Sequence, residues 1–228
     1  MTATLYGAAY SVYVRIARLV LIEKGVAHDL VEVDVFGAGG PPADHLARHP
    51  FGRIPAFDHD GFTLYETAVI TRYVDEAFAG PALQPADARG RARVGQIVAM
   101  IDAYGYRPLV WGLFVGRNRA VAQGQVPDEM AIAAARAQAR TFLAALEALC
   151  GDGPWMVGSD LSLADLHLAP VFAYFMLTDD AGDLLPPCPR LRAWWRGMAA
   201  RPSLGLTRSP LELLDANTAH SAPSGRKN

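Results

Sequence analysis

Cysteine is scarce in this chain: Cys150 and Cys188 are the only two in 228 residues. They lie far apart and in no CxxC or metal-ligand spacing, which argues against a disulfide framework or a zinc site and fits a reducing compartment. Lysine is equally rare, with Lys24 and Lys227 alone, so arginine supplies the rest of the 21 basic residues. No basic run stands out, and against 23 acidic residues the formal net charge is −2, with a pI near 6.3. A nucleic-acid partner would need a concentrated positive footprint, and there is none. No segment approaches the roughly 18 uninterrupted apolar residues of a membrane-spanning helix. The chain begins directly in a strand-like stretch, Thr4 to Tyr6, without a charged and then apolar leader. The expectation is a cytoplasmic protein that is neither exported nor membrane-embedded. What is present is a globular composition, 51% hydrophobic and 19% charged, in a length that suits one large domain or two small ones sharing an interface.

The first eighty residues alternate short strand patterns with helical ones. Residues 3–7 read as a strand. Val12 to Lys24 places Val12, Ile16, Leu19 and Val20 at helical spacing, with Gly25 as the stop. Leu30 to Val35 alternates like a second strand, parallel to the first across a right-handed crossover. A Gly/Pro loop at 37–42 precedes a short helix, Ala43 to Arg48. Ile54 to Asp58 and Phe62 to Tyr65 form a hairpin across His59-Asp60-Gly61, and Thr67 to Phe78 is helical. This order, β-α-β, one helical turn, β-β-α, predicts a thioredoxin-like α/β N-terminal domain over 1–79. Gly80, Pro81 and Pro85 mark a linker over 80–87. From 88 to 210 the pattern is all-α: Arg89 to Val115, Asp128 to Cys150, Ser162 to Leu177 and Arg190 to Ala200. Residues 211–228 read as a loose tail.

Three junctions carry chemistry. Ser11 stands where the first strand turns into the first helix; it is either a plain N-cap or a hydroxyl facing a bound thiol beside open helix N–H groups. A free thiol, with a pKa of about 8.5, is only slightly ionised at neutral pH, so a modest downward shift multiplies the nucleophile. Tyr6 and Tyr10 are rival hydroxyls. Ile54-Pro55 opens a strand, and a cis bond there would leave the N–H and C=O of Ile54 free to pair with an extended peptide. Glu66-Thr67 opens a helix, with Thr67 either an N-cap or part of an anion site and Glu66 able to hold an ammonium group. Ser162 with Asp165 reads as a capping box, and Leu161 with Leu166 as a hydrophobic staple. These are structural, as Phe172, Tyr174, Phe175, Trp194 and Trp195 are as core.

Across roughly residues 3–205 these residues together resemble the glutathione transferase superfamily. Leu5-Tyr6-Gly7, Ser11 and Glu23-Lys24-Gly25 look like the start of serine-type members. The stretch from His45 to Ala56 resembles the phi-like segment HLxxNPFGxIPA, Tyr65 to Tyr73 resembles FESRAIxxY, and Gly158 to Asp165 resembles the helical-domain signature. The resemblance is to a serine-type, phi-like bacterial member. It implies an enzyme in which Ser11 stabilises the glutathione thiolate, Ile54 pairs with the cysteinyl backbone, Glu66 and Thr67 hold the γ-glutamyl end, and Arg53 reaches the glycine carboxylate bidentately. It also implies glutathione as co-substrate with no cofactor or metal, a small hydrophobic electrophile, and a homodimer. The candidate electrophile walls are Val12, Tyr13, Phe36, Tyr104, Tyr106 and Trp111. Related glutathione-dependent isomerisation, peroxide reduction or ether cleavage, and a non-catalytic glutathione-binding module, are the alternatives. Thr67 replaces the usual serine and His49 the usual asparagine, while Gly40 and Pro41 stand where phi-like enzymes carry His and Lys. That last departure removes two glutathione contacts or rebuilds the loop.

Overall fold

The computed structural model describes residues 2–118, 124–210 and 212–213. Its N-terminal part runs β1 (Ala3–Tyr6), α1 (Val12–Glu23), β2 (His28–Val31), α2 (Ala43–Arg48), β3 (Ala56–His59), β4 (Phe62–Tyr65) and α3 (Thr67–Ala77). The four strands lie in the order β2-β1-β3-β4, with β1 and β2 parallel and the other pairs antiparallel. This is the thioredoxin-like arrangement that the element order predicts.

Two strands fall elsewhere than expected. The second occupies 28–31 and not 30–35, because β1 is only four residues long and pairs Ala3 with His28 through Tyr6 with Val31. Beyond Val31 the alternating residues find no partner strand. The third begins at Ala56, after Ile54-Pro55, because Tyr6 pairs with Ala56 and β1 ends there. Gly7 follows at once, and a Cβ there would meet Val14 Cγ2 at 2.3 Å, so only glycine lets the turn pass this close to α1.

The helical part runs α4 (Ala88–Met100), then π-helical turns over Ile101–Gly105 and Arg107–Val115, α5 (Glu129–Leu149), α6 (Leu163–Phe175), α7 (Asp180–Leu184), α8 (Pro189–Ala199) and α9 (Pro202–Leu206). The single helix expected over 89–115 is therefore α-helical for its first half and π-helical for its second. Pro108, which can donate no backbone hydrogen bond, stands inside the wider stretch. Gly105 and Gly112 lie hard against Phe142 and Ala135 of α5, where a Cβ would come within 2.5 Å. The short helices α7 and α9 have no counterpart in the sequence reading. No strand follows residue 87 among the described residues, and no helix there is long and apolar enough to cross a membrane.

Helix α1 joins the halves, packing on α3 on one side and on α6 and α9 on the other. Its fully buried Val14, Ile16, Leu19 and Leu21 share one core with Leu5, Phe57, Ile70, Ile97, Leu166 and Phe172. Arg15, 1% exposed, donates to Thr207 Oγ1, to the Leu204 carbonyl and to Glu212. Glu212 lies within the stretch read as loose tail; a buried guanidinium requires a carboxylate, and that pairing holds it. Of that stretch, residues 211 and 214–228 lie outside the described residues. Residues 80–87 are also pinned: Asp75 accepts from the Leu83 N–H and Gln84, and the Leu83 carbonyl accepts from Leu163 N.

Candidate active site at the end of the sheet

The strand register sets Tyr6, Ala56 and Tyr65 side by side in one row across β1, β3 and β4. One step past this row lie the Gly7–Ser11 turn, Ile54-Pro55 and Glu66-Thr67. Three junctions distant in sequence therefore meet at one end of the sheet. A Cβ on Gly7 would sit 3.4 Å from Ile54 Cβ, which fixes how near the first two are.

Ser11 is the N-cap of α1 in extended conformation, and its hydroxyl accepts from Val14 N at 3.4 Å. At that length the cap is loose. The first turn carries no acidic side chain, and the leading N–H groups of a helix have no intrahelical acceptor, so the helix mouth favours an anion. The preceding residue is anchored from the other half, as Tyr174 on α6 donates its hydroxyl to the Tyr10 carbonyl at 2.7 Å. Of the rival hydroxyls, Tyr6 lies beneath the Arg48 guanidinium, 4.2 Å from its ring centroid. Burial raises the Tyr10 pKa, and the charges of Asp34 and Glu32 raise it further, surroundings that repel a thiolate.

The Ile54–Pro55 peptide is cis. Neither the N–H nor the C=O of Ile54 enters a turn or ladder hydrogen bond among the described residues. The Arg53 carbonyl accepts from His45 Nε2 at 2.7 Å, which leaves the exposed Arg53 side chain unconstrained by that contact.

Glu66, not Thr67, is the N-cap of α3. It sits at φ 70 and makes no side-chain cap bond, while Thr67 is the buried first helical residue. A positive φ is uncommon for a non-glycine residue and clusters at functional sites. With no side chain filling the cap, the first N–H groups of α3 remain open to a carboxylate. His49, 2% exposed, stacks on Tyr65 at 4.8 Å with its Nδ1 unpartnered.

The proposed electrophile walls do not all converge. The Tyr13 and Tyr106 rings lie 4.7 Å apart, and Trp111 Nε1 donates to the Tyr106 hydroxyl at 2.9 Å. Phe36 packs on Tyr10 at 6.3 Å instead, Tyr104 is 67% exposed, and Val12 is buried in the core. Sequence reasoning missed Asp102 and His167. His167 Nε2 lies 2.8 Å from Asp102 Oδ1, and that carboxylate faces the Tyr13 hydroxyl, whose pKa burial and Asp102 together raise. It also assigned Tyr174 to the core alone. The available signal was its hydroxyl, since a buried tyrosine O–H usually requires an acceptor. Two cavities of about 420 and 550 Å³ lie on the helical half, around Trp194 and Trp195, and neither includes a residue of the sheet end.

Comparison with known proteins decides the family. Residues 5–82 match the model described as the N-terminal domain of glutathione S-transferase, and residues 129–196 match the C-terminal domain. The chain belongs to the glutathione S-transferase family. It is 29% identical over 217 residues to glutathione S-transferase F13 of Arabidopsis thaliana, covering 92% of this chain and 99% of that one. It is 30% identical over 211 residues to glutathione S-transferase 4 of Zea mays, at 87% and 88% coverage. The crystal structure of glutathione transferase F7 from Populus trichocarpa superposes with a TM-score of 0.79 at 30% identity, covering 90% of this chain and 97% of that one. All three come from plants; they carry no support for a bacterial source of this chain. As a family member it is a transferase with glutathione as co-substrate.

Proposed function

We propose that the sheet end holds glutathione with its sulfur at Ser11 and that the thiolate formed there attacks a small hydrophobic electrophile. Ser11 is the catalytic residue in this reading, its hydroxyl donating to the sulfur while the start of α1 favours the negative charge. Ile54 offers its main-chain N–H and C=O to the cysteinyl unit. Glu66 holds the ammonium group of the γ-glutamyl end, and Thr67 with the uncapped start of α3 holds its carboxylate. Arg53 takes the glycine carboxylate. Residues 1–79 are then the glutathione-binding domain, 80–87 the linker and 88–210 the electrophile-binding domain. We further assign the protein to the serine-type, phi-like members, acting as a homodimer in the cytoplasm.

The observation that carries the reading is the loose 3.4 Å cap of Ser11 at a helix mouth without acids. It leaves the hydroxyl available at the one point where a thiolate gains from the helix. Conjugation of glutathione to a chlorodinitrobenzene by wild type and by Ser11→Ala tests it. The expected result is a loss of turnover with binding to immobilised glutathione retained. Undiminished turnover in Ser11→Ala would remove Ser11 from this role.

A further inference from the structure

The larger cavity on the helical half, about 550 Å³, lies where the end of α6, the end of α7 and the face of α8 meet. Its walls are apolar: Met176 after α6, Leu185 and Pro186 after α7, and Trp195 on α8. The Trp195 ring packs on Phe172 and Trp194, with centroids 5.7 and 6.1 Å away, so it offers a fixed aromatic face. Met176 is 37% exposed and supplies the adaptable side.

The charge lining this cavity is of one sign. Arg192 and Arg196 stand one turn apart on α8 and both line it, while no acid does. Both are exposed, and neither guanidinium has a hydrogen-bond or carboxylate partner among the described residues. The arginines on either side of them are already paired, Arg190 with Asp152 and Arg201 with Glu23. The acids of α7, Asp180 and Asp183, are engaged as well, by Arg117 and Arg136, so they do not neutralise the two free cations. The smaller cavity differs on this point, since its arginine is Arg190.

A cavity of this size with a mainly apolar lining and a few polar groups is the form of a small-molecule site. A guanidinium is planar and weakly hydrated, and it matches the oxygens of a carboxylate or sulfonate. We propose that this cavity is a second ligand site, sharing no residue with the sheet end, that takes a small aromatic anion. The ring system lies against Trp195 and Met176, and the carboxylate or sulfonate is held by Arg192 and Arg196. Binding involves no covalent step, and the site does not depend on the glutathione reading above.

Fluorescence titration of the full chain with anilinonaphthalene sulfonate tests it. Phenylnaphthylamine, the same body without the sulfonate, is the neutral control, and both titrations are run with and without S-hexylglutathione to fill the sheet end. The sulfonate affinity of wild type should be unchanged by S-hexylglutathione. Arg192→Gln combined with Arg196→Gln should weaken the sulfonate about tenfold, as expected for two exposed charge-assisted contacts, and the amine by less than about twofold. The urea midpoint of that variant should match wild type, because the two side chains hold no partner. Met176→Glu, which sets a carboxylate at the same cavity, should also weaken the sulfonate more than the amine. A sulfonate affinity in the double variant within about twofold of wild type overturns the site. So does an equal loss for the two probes, or displacement of the sulfonate by S-hexylglutathione.

Discussion

The Tyr174 hydroxyl of α6 donates to the Tyr10 carbonyl at 2.7 Å, so the helical half holds the residue immediately before Ser11. Tyr174→Phe keeps the ring contact with Phe114, whose centroid is 4.7 Å away, and removes only the tether. We expect about 1 kcal/mol of lost stability, together with a rise in the pKa of bound glutathione as the Ser11 turn loosens. Urea unfolding and the ultraviolet titration of the thiolate in the binary complex measure the two effects. A thiol pKa equal to wild type would show that the tether is purely structural.

Ser11 serves two roles that different substitutions separate. Ser11→Ala removes both the cap and the donor. Ser11→Asp supplies a good cap and a favourable charge at the helix start but sets a carboxylate against the thiolate. Thermal unfolding should therefore rank Ser11→Asp above Ser11→Ala by about 1 kcal/mol, while conjugation falls at least as far in Ser11→Asp. Conjugation by Ser11→Asp at the wild-type rate would contradict the thiolate role.

The sheet end was largely legible because its signals are local. Ser11 before an apolar helical run and Ile54-Pro55 before a strand, like Asp60-Gly61 in the hairpin at the opposite end of the sheet, each reflect backbone chemistry contained within a few residues. Strand ends were not, since β2 stops where the four-residue β1 stops, a limit imposed by pairing. The Glu66 cap was misplaced by one residue because positive φ at a glutamate is set by the tertiary fold and has no propensity signal. The Asp102–His167 contact spans 65 positions, and nothing local marks either partner. The π-helical turns were hidden because their sequence reads as ordinary helix with one internal proline.

Asp165 is fully buried, and its two oxygens accept from Met156 N, Ser162 N, Ser162 Oγ and Trp194 Nε1 at 2.7 to 2.8 Å. It thus joins the start of α6 to α8 as well as closing its own helix. Asp165→Asn turns an amide N–H₂ toward groups that are themselves donors. We expect a destabilisation of about 3 kcal/mol or more, measured by denaturant unfolding. A loss below about 1 kcal/mol would mean that the capping box alone sets its worth.

Burial holds His49 below the ordinary imidazole value, with Glu66 pulling the other way. As the pH falls, the unfolded chain, with a histidine pKa of about 6.5, takes up a proton that the folded state resists. The contribution of this site is full above that pH and is lost as the pH falls through it toward the folded value. His49→Asn should flatten the decline of the urea midpoint between about pH 6.5 and 5. Parallel wild-type and variant profiles would count against the assignment.

Both native thiols are silent, which makes the Ser11 environment directly measurable. Burial pushes the Cys150 thiol up to about 12 and raises Cys188 as well, and the two are 7% and 4% exposed. An alkylating reagent should therefore leave the native protein unlabelled and find two thiols per chain only after unfolding. Ser11→Cys then introduces one reactive sulfur at the start of α1, on a background free of others. If that helix mouth favours an anion, the new thiol should titrate below the ordinary value of about 8.5, and its alkylation rate should rise with pH along that lowered curve. An introduced thiol that titrates at or above the ordinary value would show that the site does not stabilise a thiolate, whatever glutathione does beside it.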